Sequence, residues 1–377
     1  MKYIAVFFGG KSCEHDISVI TGVLTLNSLD KTKYSAIPIY VDSDGTWYTG
    51  KFLNDVSAYK DLQVKKLCKV TFLMGSSILY ASKKNRLKKL YNIDCAINCL
   101  HGLNGEDGTL AGLLKLCSVP CCSPSTFASS FSMDKDFTKI VLAGLNVEKL
   151  PYVRIHKSCF YQKRNTAIKM VEKKLKYPVI VKPANLGSSI GISTAKNEEE
   201  LETALITAFN YDSKVIVEKE LVAFKEINCS AYKKGDNIIV SMCEEPILAS
   251  EILTFSDKYL GYKTGSNKRF PADIPLEVSL KIQSITEKIY RKCDFIGIIR
   301  VDFLVANGKV YVNEINTVPG SLAYYLHSKT LKDFTSLLTD LISEGIKSYN
   351  EDNARNYVFK SNVLNQKCLN GAKGKML

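Results

Sequence analysis

VDFLVANGKVYVNEINTVPG, residues 301 to 320, holds two apolar stretches joined at Asn307-Gly308, a dipeptide that folds strands back on one another. A hairpin is expected, yet Asp302 lies near its start and Glu314 and Asn316 near its end, where a buried hairpin would carry apolar residues. Whether they meet depends on the turn. A two-residue Asn307-Gly308 turn pairs Ala306 with Lys309 and, continued regularly, sets Glu314 opposite Val301, on the face away from Asp302. A three-residue Ala306-Asn307-Gly308 loop, with Gly308 left-handed in a bulge, pairs Val305 with Lys309, Phe303 with Tyr311 and Arg300 with Glu314. It gathers Asp302, Glu314 and Asn316 on one face, and this register is the expectation. Three hard oxygen ligands suit Mg²⁺, which takes few carboxylates and completes its shell with phosphate oxygens and water. The competing reading leaves Asp302 in an ion pair with Arg300 and Glu314 with a lysine.

Phosphate chemistry has support upstream. In YPVIVKPANLGSSIGIS, residues 177 to 193, a strand delivers Lys182 and then a Gly187-Ser188-Ser189 turn, which supplies an ammonium, hydroxyls and free backbone N-H groups. Neither a Walker sequence nor GxGxxG fits it, and a small-residue turn after a strand is by itself commonly just a turn. Lys135 in SMDKDFTK opens a helix, a position unfavourable to a cation unless an anion lies close. No Ser-His-Asp constellation or activated cysteine emerges, so the chemistry indicated is phosphoryl transfer.

The first third is built differently. KYIAVFFGG, residues 2 to 10, is an apolar strand that stops at a glycine pair, and SVITGVLTLNSL has helical spacing after it; LYNIDCAINCLHGLNGEDG and TLAGLLKLC repeat the cycle at residues 90 to 117. This alternation implies a mostly parallel sheet with ligand groups at the strands' carboxyl ends, where Glu14 and His101 fall. Beyond Ser123 the texture changes to strand-turn-strand units, including KEINCSAYKKGDNIIVSMCEE and the opening hairpin, so the remainder is expected to be largely antiparallel. The division is 1–123, 124–221, 222–348 with a helix near 331 to 348, and a tail 349–377. Residues 249 to 275 form a long polar connection of the kind that is usually functional or disordered.

Composition bounds the rest. The 377 residues are 46% hydrophobic and 24% charged, enough for two or three cored domains, with no apolar run near a membrane span and no signal-peptide layout. A cytoplasmic protein is expected, its 12 cysteines reduced. The net charge of +13 would suit an anionic partner, but the lysines of ASKKNRLKKL and VEKKLKYP alternate with apolar residues as on solvated helix faces, so neither nucleic acid nor membrane is expected.

The assembled motifs FGGKSCEHDIS, HGLNGEDGTLAGLLKL, SMDKDFTK, VIVKPANLGSSIGIS, VEKEL with KEINC, SDKYL, and IIRVDF with NEINTVPG resemble, in family order, the D-alanyl-D-alanine ligases of the ATP-grasp superfamily. The resemblance implies an α/β (α+β) ATP-grasp fold, an N-terminal parallel-sheet domain followed by two ATP-grasp lobes. It also implies ATP-driven joining of two D-alanines through an acylphosphate, for peptidoglycan precursors. Carried over motif by motif, Glu14 would hold the first substrate's ammonium, linked through Ser188 to Tyr259, and His101 would line the substrate pocket. Lys135, Lys182 and Lys258 would bind ATP phosphates, Glu218 and Leu221 border adenine, and Glu226 meet the ribose. Arg300 and the Gly320 amide would stabilise the tetrahedral oxyanion, while Asp302, Glu314 and Asn316 would hold two Mg²⁺ (or Mn²⁺). A homodimer is the family's expectation. The chain departs after NEINTVPG, where relatives have a Phe-Thr or Met-Thr pair and a serine for the second substrate's carboxylate; SLAYYLH sets Tyr325 at about that serine's place. Two alternatives stay open: another acceptor such as D-serine, D-lactate or a different amino acid, and a catalytically silent nucleotide-binding protein.

Overall fold

The computed structural model describes residues 1–84, 86–247 and 268–359. The opening strand Lys2–Gly9 pairs in parallel with Tyr34–Val41 on one side and Cys95–Asn98 on the other. Its residues alternate between two cores. Ile4, Val6 and Phe8 pack with Val19, Val23 and Leu26 of the helix His15–Ser28, whereas Ala5 and Phe7 pack with Leu110 and Leu114 of the helix Thr109–Leu116. A parallel strand covered on both faces reads as an unbroken apolar run, which is what KYIAVFF is.

The parallel part ends there. Strands Trp47–Thr49, Cys68–Leu73, Ser76–Lys83 and Arg86–Asn92 extend the same sheet antiparallel, giving seven strands. Lys83, Lys88 and Lys89 of ASKKNRLKKL therefore lie on strands and Lys84 in the turn between them, not on a helix face as expected from the sequence. Arg86–Asn92 is the sheet's edge, and its exposed Lys88 and Lys89 are charges of the kind that keep an edge from pairing with another chain.

A second sheet, ordered Ser193–Ala195, Val179–Pro183, Lys214–Lys219, Tyr152–His156, is antiparallel and packs on the helices Arg164–Lys174 and Glu198–Ala208. A third, ordered Asn237–Val240, Lys225–Lys234, Ile298–Ala306, Lys309–Asn316, is also antiparallel. One face of this third sheet, carrying Ile227, Cys229, Ile299, Val301, Phe303 and Ile315, buries against the helix Leu276–Lys292 and the helices Thr126–Met133 and Lys135–Gly144. The other face packs Tyr232 and Ile298 into the first core and carries Asn228, Arg300, Asp302, Glu314 and Asn316 beside them. The last helix runs Leu331–Asn353, longer than the sequence suggested; a capping box of Thr330 and Asp333 starts it, and Phe334, Leu338 and Leu341 join the core under the first sheet. Among the described residues no helix is long and apolar enough to cross a membrane, and the described cysteines are free thiols.

Candidate active site

The opening hairpin brings its acids together, but not by the expected turn. Asn307 and Gly308 both have positive φ, at 49° and 72°, the conformation of a two-residue type I′ turn, and Ala306 pairs with Lys309. Leu304, not Phe303, faces Tyr311, and Phe303 faces Val312. The ladder then breaks: Asn313 is extra, and beyond it Asp302 faces Glu314 and Arg300 faces Asn316. The three-residue loop and the Arg300–Glu314 pairing are thus corrected. The one-residue slip that the three ligands require is made by a bulge four residues past the turn. Asp302, Glu314 and Asn316 still share a face.

Both readings of Asp302 meet there. Arg300 grips its carboxylate through Nε and Nη2 at 2.7 and 2.8 Å, and Asn316 Nδ2 donates to it at 3.0 Å. Glu314 and Asn316 line the cleft, together with Lys135, Gly187 and Asn313. A set of two carboxylates and an amide, all oxygen donors, beside a loop suited to phosphate fits Mg²⁺ or Mn²⁺.

The bulged Asn313 has its own task, which the sequence did not signal. Its Oδ1 accepts from Lys182 Nζ at 3.3 Å, and the same ammonium lies 2.6 Å from Glu218. Glu218, on Lys214–Lys219, also pairs with Lys139, one helical turn after Lys135 in SMDKDFTK, so one carboxylate holds two buried lysines. Burial alone pushes Glu218 up, but Lys139 and Lys182 overcome it and hold the carboxyl down at about 2. Lys135 Nζ donates to the Leu186 carbonyl at 2.6 Å, tethering the loop that carries Ser188. Its helix N-terminus is capped by the Asp134 side chain, which accepts from the amides of Asp136 and Phe137.

The residues expected on the substrate side come from several parts of the chain. The Ser188 hydroxyl donates to Glu14, joining the central loop to the first sheet's loop. Gly102 permits this, since a Cβ there would sit 2.8 Å from the Glu14 carboxylate and its φ is +69°. His101 Nε2 lies 2.9 Å from Thr21 Oγ1, which also accepts the Ser321 amide at 3.0 Å; His101 Nδ1 is 3.5 Å from Glu106. Ser321, Leu322 and Ala323 follow Gly320 in left-handed conformation with φ of 52, 51 and 46°, a costly geometry for residues with a Cβ.

This turn carries Tyr325 to Arg300, with the phenol oxygen 3.4 Å from Nη1, and Lys268 Nζ lies 4.3 Å from its ring centre while pairing with Glu244 at 3.2 Å. Burial foremost pushes the Tyr325 phenol up to about 12, so it stays a proton donor. Leu221 and Glu226 are half-buried at the start of the third sheet's region. Lys258 and Tyr259 lie outside the described residues, although the segment's flanks, Glu245–Pro246 and Lys268–Arg269, pair as a short ribbon.

A mixed first sheet, two antiparallel sheets beyond it, and Lys135 and Lys182 gathered near carboxylates form the architecture of an ATP-grasp ligase. Residues 3–124 match the family model described as D-ala D-ala ligase N-terminus and residues 141–346 the one described as D-ala D-ala ligase C-terminus. A D-alanine–D-alanine ligase of Thermosipho melanesiensis is 37% identical over 364 residues, 93% of this chain and 95% of the relative. Among solved structures, the D-alanine-D-alanine ligase of Coxiella burnetii aligns with a TM-score of 0.79 at 28% identity, covering 94% of this chain and 96% of that one. The VanG D-Ala:D-Ser ligase of Enterococcus faecalis aligns at 0.74 and 28%, covering 92% and 99%. The chain belongs to the D-alanine–D-alanine ligase family.

Proposed function

We propose that this chain is a cytoplasmic, ATP-dependent ligase that joins two D-alanines into the dipeptide used for peptidoglycan precursors, acting as a homodimer. The observation that carries the reading is one cleft lined by Lys135, Gly187, Glu314 and Asn316, with Arg300 and Tyr325 at its side. Residues 1–123 supply the first substrate's loop, 124–221 the ATP lobe and 222–348 the floor.

ATP's adenine is bordered by Glu218 and Leu221, its ribose lies at Glu226, and its phosphates lie on Lys135, Lys182 and Lys258. The first D-alanine's ammonium sits on Glu14 near His101, and its carboxylate oxygen attacks the γ-phosphorus, releasing ADP. The second D-alanine's amine attacks the acyl carbon. Arg300 and the Gly320 amide hold the oxyanion until phosphate leaves and the amine's proton is shed. Asp302, Glu314 and Asn316 would hold Mg²⁺ or Mn²⁺, which when bound would neutralise charge on the transferring phosphoryl group. Most of the catalysis is positioning and charge neutralisation. The test incubates the purified chain with ATP, Mg²⁺ and D-alanine, following ADP, phosphate and product mass. D-alanine-dependent ADP release with dipeptide is expected; ATP binding without turnover would overturn the reading and favour a silent nucleotide-binding protein.

Tyr325 motivates a second reading, the same chemistry with another acceptor. A phenol is bulkier than a hydroxymethyl group and narrows the space beside Arg300. A panel of D-alanine, D-serine, D-lactate and other amino acids with mass detection separates the two readings.

A further inference from the structure

We infer that Asn228 is a further oxygen donor of the divalent-cation site, either to the ion directly or through one of its waters. The inference rests on the reading of Asp302, Glu314 and Asn316 as cation ligands. Across the third sheet Asn228 pairs with Asp302, and Asp302 pairs with Glu314, so the three stand in one row on adjacent strands. Alternation fixes their face. Ile227, Cys229, Val301, Phe303 and Ile315 enter the core, which turns Asn228, Asp302 and Glu314 to the cleft side together.

Asn228 is only 6% exposed, and its Oδ1 has no hydrogen-bond partner among the described residues. Its backbone is fully used, exchanging hydrogen bonds of 2.8 and 2.9 Å with Glu244. The nearby donors point elsewhere: Arg300 and Asn316 to Asp302, and Lys268 to Glu244. A buried acceptor without a donor costs free energy and calls for a water or an ion. Beside two carboxylates an ion is the fitting occupant. An amide oxygen adds a hard ligand without adding charge, which matters where a triphosphate must also bind.

The test measures Mn²⁺ binding to the full chain by electron paramagnetic resonance, with and without a non-hydrolysable ATP analogue. Asn228→Val, a strand-favouring apolar residue, should weaken Mn²⁺ about tenfold, as loss of a supporting ligand does, while metal-free nucleotide affinity is unchanged. Asn228→Asp should bind Mn²⁺ at least as tightly as the parent. Parental Mn²⁺ affinity in N228V, especially with a raised melting temperature, would mark Asn228 as a plain buried amide and overturn the inference. So would lost Mn²⁺ binding in a folded N228D. Should the unaltered chain bind the nucleotide but no Mn²⁺, the cation reading of Asp302 and Glu314 fails first, and this inference with it.

Discussion

Replacing Glu218 by glutamine keeps its shape and removes the one charge that holds Lys139 and Lys182 together in a nearly dry site. Glu218 is 1% exposed and Lys139 2%, so solvent screens little of the loss. The carboxyl, held at about 2 against an ordinary 4.5, implies a stabilisation of about 3 kcal/mol at neutral pH. A second route gives a similar size. Two ammonium groups sharing one carboxylate stand roughly 5 Å apart, which at an effective dielectric of about 20 is a repulsion of about 3 kcal/mol once the acid is gone. Both agree with the roughly 3–5 kcal/mol typical of breaking a buried pair. E218Q should therefore lose about 3 kcal/mol in urea unfolding at pH 7. Because the folded pKa is depressed, the parent's advantage is fully present above about 4.5 and shrinks as pH falls toward 2. Adding Lys139→Met to E218Q should restore part of the loss by removing the repulsion. An E218Q chain within about 0.5 kcal/mol of the parent, or one further destabilised by Lys139→Met, would refute this account of the triad.

Asn313→Ala keeps the bulge but removes the contact to Lys182, 3.3 Å long, so the KM for ATP should rise roughly fivefold, worth about 1 kcal/mol, with little change in melting; steady-state kinetics and a thermal scan check it. Gly22→Ala would place its Cβ 2.3 Å from Phe8 Cβ in the first core and should cost about 1–3 kcal/mol, read by denaturant midpoint. His327 is held down to about 4 by burial, so the unfolded chain takes the proton first. Stability should fall between about pH 6.5 and 4, by about 3 kcal/mol in all, and His327→Leu should flatten that segment of the pH–stability curve.

What could be read from the sequence is what neighbours along the chain decide. The two cycles ending in GGKSCEHD and HGLNGEDG announce strands that open into loops, because apolar runs and glycine pairs are local signals. Residues 47 to 92 gave no such signal. Their strands are largely half-exposed and three of the four carry lysine, and the place they take toward the sheet's edge distinguishes them from solvated helix faces. Lys139 was within reach, standing four residues after Lys135 on one helix, but its partner Glu218 is brought to it only by the second sheet. The contact of Ser188 with Glu14, implied by family motifs, has no local cause either, since it joins loops that leave two different sheets.

The hairpin separates the two kinds of information most sharply. Asn-Gly dictates a two-residue turn from within, and by alternation alone that turn would point Glu314 into the apolar core. The bulge at Asn313 resolves the conflict, and it turns the Asn313 side chain to Lys182 of a different sheet. A regular strand with the same turn would satisfy its own hydrogen bonds better and face Asp302 with Asn313 instead. The irregularity is therefore where a lysine suited to phosphate and two carboxylates suited to a cation are set in register with one another. The turn supplies the hairpin, and the bulge supplies the site.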